Sequence, residues 1–169
     1  MNPTQERWLP VPGYEGFYEV SDHGRVRSVD RVVVAGSGER KFAGRVLRLG
    51  TNRHGYMLVA LRKPGIQKSK RAHRLVLEAF VGPCPEGMAA CHENGDKLDN
   101  RLSNLRWDTT SSNLYDAVRH GTHHWASKTH CPQGHPYSPD NTIREANGRR
   151  CRECHRRHNR ESQRRRLQP

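Results

Sequence analysis

ACHENGDKLDNRLSNLRWDTTSSNLYDAVRHG, residues 90–121, is the stretch that decides how this chain folds. Met88 to Cys91 form a short apolar approach that ends on His92. A polar, turn-rich loop follows from Glu93 to Asn104 and carries Gly95, Asp96, Asp99 and Asn100. Asn and Asp suit such loops because their short side chains bond back to nearby backbone. Leu105-Arg106-Trp107 reads as a second strand, and Asp108-Thr109-Thr110 as the start of a helix. Thr109 or Thr110 would cap the open N–H groups there, and Gly121 would close the far end. The unit is strand, long loop, strand and helix in about thirty residues. That is too few to bury a core, so the unit must lean on neighbours.

Upstream, Ala72 to Phe80 reads as a helix with Leu75, Val76, Ala79 and Phe80 on one apolar face. With that helix in front, the ordered pieces resemble the ββα-metal (HNH) nuclease motif, in particular that of phage and intron-encoded homing endonucleases. The resemblance rests on His92 at a strand end, the loop asparagines, Asn104-Leu105-Arg106-Trp107 and Asn113 one turn into the helix. It covers roughly residues 71–121, and the ordered set is far more specific than any single His or Asn.

Phosphodiester hydrolysis needs a nucleophilic water, a base to take its proton, and a cation to neutralise the developing charge. His92 is the candidate base, because imidazole titrates near neutrality and a strand end aims it across a groove. The resemblance implies that Asn113 ligates a divalent ion through its side-chain oxygen. It also implies that the middle asparagine pins the loop without doing chemistry; Asn104 fits that role, and Asn100 is the alternative. Another ligand, commonly Asp, stands just before the histidine in that family, and here the residue is Cys91. A thiolate is a soft ligand, poorly matched to Mg2+ and better matched to Zn2+ or another transition ion. Three explanations stay open: a metal other than Mg2+, a ligand borrowed from Asp96 or Glu93, or weakened activity. Cys91 as a small buried strand residue is the plain structural alternative. Mg2+ or Mn2+ is the expected catalytic ion, with Zn2+ or Ni2+ as the other choices. Leu105, Trp107, Leu114 and Val118 read as core of the motif.

The N-terminal third alternates short apolar and basic runs. Phe17 to Ser21 and Arg25 to Val29 flank Asp22-His23-Gly24, a hairpin signal. Val26 points one way while Arg25 and Arg27 point the other. The pattern from Trp8 through Ser28 resembles the β motif attached to many of these nucleases, where it is associated with DNA contact. Arg25 and Arg27 are therefore candidate phosphate contacts. Ala35 to Glu39 reads as a flexible loop, Arg45 to Leu49 and Tyr56 to Leu61 as further strands, and Lys68 to Arg71 as the approach to the helix.

Near the C-terminus, Cys131-x3-His135 and Cys151-x2-Cys154 offer four soft or borderline ligands in two close pairs. A closed Cys3His set of this kind predicts a structural Zn2+. Nine Arg and two Glu lie between Arg149 and Arg166. As a helix from Glu153 onward, that run would lay Arg156 and Arg157 along a phosphate backbone, with Arg149 and Arg150 close by.

Bulk numbers agree. The 169 residues carry 30 Lys+Arg against 17 Asp+Glu, a formal net charge of +13. Hydrophobic content is 33% and mean hydropathy −1.00, against one large core. Such a basic chain points to a polyanionic partner, with nucleic acid first and a ribosomal-type RNA-binding protein as the bland alternative. Five cysteines, three of them clustered, favour metal ligation in a reducing compartment over a disulfide framework. Met1 to Pro10 has no apolar h-region, so a soluble protein is expected, in the host cytoplasm if phage-encoded.

The predicted fold class is α+β. A β-rich DNA-contacting platform spans 1–70, the ββα-metal nuclease motif with its preceding helix 71–121, and a linker 122–130. A zinc-stabilised module with a basic helix and Arg-rich tail spans 131–169. The predicted function is metal-dependent hydrolysis of duplex DNA, with the two outer regions holding the duplex and His92 as base. A catalytically inactive zinc-dependent DNA-binding protein is the alternative. No membrane is involved, and a monomer is favoured with oligomeric state left open.

Overall fold

Helix α1 (Ala72–Phe80) gathers the apolar side chains of the N-terminal 120 residues. The computed structural model describes residues 5–35, 38–146 and 148–167. It divides into two units, one ending at His120 and one beginning at Gly121. In unit 1, Leu75, Val76 and Leu77 of α1 are fully buried among Val11, Val20, Val26, Val59, Leu61 and Leu105. Ala79 and Phe80 sit at the rim of that core. The predicted apolar face therefore holds, with Leu77 added to it.

Among the described residues, three small sheets precede α1. Strands β1 (Trp8–Pro10), β2 (Tyr18–Ser21) and β3 (Val26–Ser28) form one antiparallel sheet, with Val20 opposite Val26. Strands β4 (Arg31–Ala35) and β5 (Gly38–Phe42) form a hairpin of their own. Of the loop predicted over Ala35 to Glu39, Ala35, Gly38 and Glu39 belong to these strands instead, and Gly36 and Ser37 lie outside the described residues. Its flanks are strands because Val32-Val33-Val34 is a β-branched run, a type that packs well on a pleated surface. Arg45 to Leu49, predicted as a strand, makes only an isolated bridge between Val46 and Arg27. Strands β6 (Gly50–Thr51), β7 (Met57–Lys63) and β8 (Ile66–Arg71) form the next sheet, turning at Gly65 with φ of +73°. The predicted approach to the helix is thus the second half of β8, which feeds straight into α1.

After α1 come β9 (Met88–His92), a 3-10 turn (Leu102–Asn104), β10 (Leu105–Thr109) and α2 (Thr110–Arg119). Thr109 caps α2, its hydroxyl oxygen accepting from the N–H of Ser112 at 3.1 Å. Leu114 and Val118, read from sequence as core, are 54% and 46% exposed. Helix α2 docks through a polar contact instead. Its one buried residue is Asp116, paired with Arg106 of β10.

Unit 2 holds the hairpin β11 (Thr142–Glu145) and β12 (Gly148–Cys151), followed directly by α3 (Arg152–Arg166). Among the described residues, no helix is long and apolar enough to cross a membrane.

Candidate functional site

Antiparallel pairing sets His92 against Leu105, Cys91 against Arg106 and Ala90 against Trp107. Because side chains alternate across a strand, His92 and Trp107 share the face toward α1, while Cys91 and Arg106 share the opposite face. His92 is 7% exposed at the end of β9. Its Nε2 lies 3.2 Å from the side-chain oxygen of Asn100. His73 of α1 meets the ring edge-on with centroids 5.0 Å apart, and Tyr56 lies 6.2 Å away. Burial pushes the His92 pKa below its ordinary value, against a smaller opposing effect of the Asn100 hydrogen bond. The ring is therefore neutral at neutral pH, the form that accepts a proton. His73 is more deeply buried, and desolvation lowers its pKa to about 3.

The loop between the strands is closed by Asn104. Its side-chain oxygen accepts from the N–H of Asn94 at 3.0 Å, and its amide donates to the carbonyl of Asp99 at 2.8 Å. The N–H of Glu93 donates to the Asn104 carbonyl at 2.9 Å. Asn104 and Asn100 thus have different partners: the first binds the loop, the second binds His92.

On the opposite face Cys91 is 1% exposed, and burial raises its thiol pKa with Arg106 opposing. Arg106 is the hub there. Its guanidinium reaches Glu93 at 2.7 Å, Asp108 at 2.8 Å, and Asp116. Side-chain hydrogen bonds to Ser112 and Arg106 lower the Asp108 pKa to about 2. Arg106→Met leaves these carboxylates facing one another without their shared cation. A drop in unfolding midpoint of about 3–8 °C is expected. Amide hydrogen exchange should speed up first in α2, which the ion pair ties down. Equal loosening of α1 would contradict that role.

Asn113 is exposed in the first half of α2, which packs against β9 and β10. Its carboxamide makes no hydrogen bond to another described residue, so its oxygen is free. The structure brings His92 together with Asn100, His73 and Tyr56, and places Asn113 outside that set of contacts. Sequence reasoning kept Asn100 only as the alternative to Asn104. It missed Tyr56 altogether.

Arg25 and Arg27 flank the ring of Trp8, with guanidinium carbons 5.7 and 4.3 Å from its centroid. Each also meets a carboxylate: Arg25 Nε donates to Glu6 at 2.8 Å, and Arg27 Nε to Glu19 at 2.7 Å. Both side chains keep substantial exposure.

In unit 2, Cys131, His135, Cys151 and Cys154 bring four ligand atoms within 4.8 Å of one another. The Cys131–Cys154 sulfur separation is 3.7 Å, and His135 Nδ1 lies 3.5, 3.7 and 3.2 Å from the sulfurs of Cys131, Cys151 and Cys154. A tetrahedral ion with bonds of about 2.3 Å to sulfur has edges of roughly 3.7 Å, so the set matches that shape. His135 Nε2 faces the Glu153 carboxylate at 3.2 Å, which turns Nδ1 toward the sulfurs. The Asn141 amide donates to Cys151 at 3.4 Å.

The nearby arginines divide. Arg149 donates to the carbonyls of Trp125 and Lys128 and covers Tyr137 at 4.2 Å. It therefore ties residues 125–128, predicted as linker, to the β12 strand. Arg150 meets Glu145 at 3.0 Å. Arg156 and Arg157 are exposed on α3.

Residues 6–62 match the NUMOD4 motif and residues 70–115 match the HNH endonuclease family. The chain is 33% identical over 115 residues to DNA endonuclease I-HmuI of Bacillus phage SP01. That match covers 68% of this chain and 59% of the phage enzyme, so the chain spans about three fifths of that relative. An uncharacterized HNH endonuclease of Acanthamoeba polyphaga mimivirus is 36% identical over 123 residues, covering 70% of this chain and 27% of that protein. Among solved structures, the HNH homing endonuclease I-HmuI, described for DNA binding and cleavage, superposes with a TM-score of 0.56. Sequence identity there is 34%, covering 69% of this chain and 60% of the other. Matched across both segments that build unit 1, the chain belongs to the HNH homing-type endonucleases and carries a NUMOD4 motif at its N-terminal end.

Proposed function

We propose that this chain is a metal-dependent endonuclease that hydrolyses phosphodiester bonds of duplex DNA, with His92 as general base. The observation that carries this is the setting of His92: buried, so that desolvation lowers its pKa, and held by Asn100 at the end of β9. A neutral imidazole accepts the proton of a water, the water oxygen attacks phosphorus, and the bond to the 3′ oxygen breaks. Asn104 keeps the loop closed around this point, so the base does not wander.

The donors near the hairpin fit a hard divalent ion only in part. The free carboxamide oxygen of Asn113 is a suitable ligand. Cys91 is not, because a buried thiol of raised pKa stays protonated and soft. Asn113 would hold the ion, with phosphate and water oxygens completing its shell. Such an ion, when bound, neutralises charge on the phosphate and the leaving oxygen.

In unit 2 the Cys3His set fits Zn2+, and a site closed by four protein ligands is structural. Exposed Arg156 and Arg157, with no ion pair among the described residues, would meet phosphates. Arg25 and Arg27, already neutralised by Glu6 and Glu19, would add less to affinity. A supercoiled-plasmid assay with Mg2+, Mn2+, Ni2+ or Zn2+ tests the proposal. Nicking or linearisation with at least one ion is expected. A protein that shifts the plasmid yet cuts with none of them is the inactive DNA-binding protein instead.

A further inference from the structure

The turn between β2 and β3 is pressed against the loop that holds the base. Gly24 has φ of +81°, and a Cβ built there would lie 2.7 Å from both the Cβ and the carbonyl oxygen of Asn100. Two residues away along each segment, the N–H of Leu102 donates to the carbonyl of Asp22 at 2.8 Å. The NUMOD4 turn is thus seated on the backbone of residues 100–102, and only glycine fits at its point of closest approach.

Asn100 is itself fixed at both ends. Its amide nitrogen donates to the carbonyl of Leu98 at 3.1 Å, which leaves its oxygen facing His92 Nε2 at 3.2 Å. A carboxamide oxygen only accepts, so Nε2 carries the ring proton. In the neutral ring Nδ1 then keeps its lone pair. His73, edge-on at 5.0 Å, backs the imidazole from α1.

We propose that Asn100, braced by Gly24 of the NUMOD4 turn, is a positioning residue that holds His92 as the Nε2–H tautomer with Nδ1 as proton acceptor. The N-terminal motif then supports the chemical step through a contact, separately from any part in binding DNA. The proposal rests on His92 being the base. When Nδ1 takes a proton from water, Nε2 keeps its own and the hydrogen bond to Asn100 becomes charge-assisted.

The full chain with isotope-labelled histidine rings, read by nitrogen NMR, gives the His92 tautomer whether or not the protein cuts. Parent protein should show Nε2 protonated and Nδ1 bare, and Asn100→Ala should lose that bias. In single-turnover cleavage, Asn100→Ala should slow the rate roughly 10–100-fold, as loss of an outer-shell partner typically does, with duplex affinity unchanged. Asn100→Asp still accepts from Nε2 and should recover most of the rate. Gly24→Ala should slow cleavage in the same way, again without weaker binding. An Nδ1–H tautomer in the parent would overturn the proposal. So would an Asn100→Ala protein that binds DNA more weakly while cutting at the parent rate. If Gly24→Ala fails to fold, the tautomer and the Asn100 pair still decide. A parent that never cuts removes the nuclease reading, while the NMR result separately decides whether Asn100 sets the ring.

Discussion

His92→Ala should bind duplex DNA as the parent does and slow single-turnover cleavage by roughly 10²–10⁴-fold, the usual contribution of a positioned general base. Among the described residues His92 meets Asn100, His73 and Tyr56, none of them proposed as a phosphate contact, so its removal should take away proton transfer and leave duplex affinity alone. A structural cost accompanies it. Truncation empties the space beside His73 and Tyr56 and leaves the buried Asn100 oxygen unpaired, worth about 1–3 kcal/mol of stability. His92→Gln separates the two effects, because its amide can still donate to Asn100 while remaining a very weak base. If His92→Gln cuts at the parent rate, the base lies elsewhere.

Chelating the Zn2+ proposed for unit 2 should have the second large effect. Cys131 and Cys151, both members of the Cys3His set, are the buried residues among those described after Gly121, and α3 buries none of its side chains. No apolar core remains to hold the β11–β12 hairpin and α3 once the ion leaves. Structural Zn2+ supplies about 10–16 kcal/mol in small modules of this kind, more than the stability such a stretch can reach by packing. Chelation, or Cys154→Ser, should therefore unfold residues 131–154 as one event seen by NMR. The β9–β10–α2 hairpin and helix should stay folded on the α1 core. Elemental analysis should find zinc in the purified parent. Native-like spectra for unit 2 in a zinc-free preparation would contradict the assignment.

Much of this molecule was legible because its signals are local. The strand ending at His92, the turn-rich loop, Leu105 to Trp107 and the Thr109 cap each announce themselves within a few residues. The Cys131/His135 and Cys151/Cys154 pairs do the same, since metal chemistry demands close ligand pairs. What was missed depends on partners distant in sequence. Asn100 and Asn104 are equivalent by composition, and only the folded loop turns one toward His92 and the other toward Asn94. Leu114 and Val118 have the spacing of a buried face, yet α2 is anchored by Arg106 on Asp116, a contact that periodicity cannot reveal. Arg25 and Arg27 were readable as positive charge, but not as cations already engaged by Trp8, Glu6 and Glu19. The β4–β5 hairpin is a different case. The three consecutive valines Val32 to Val34 carried a strand signal that the Gly and Ser residues following Ala35 in the sequence obscured.

The central claim is that one cation sits between Asn113 and a backbone phosphate that His92 faces. Crystals of the full chain on an uncut duplex, soaked in Mn2+ and recorded for anomalous scattering, test it directly. The account predicts a peak bonded to the Asn113 carboxamide oxygen and to a phosphate oxygen, with the His92 ring turned toward that phosphate. A peak on the Cys91 sulfur, or a phosphate path that never approaches His92, would contradict it.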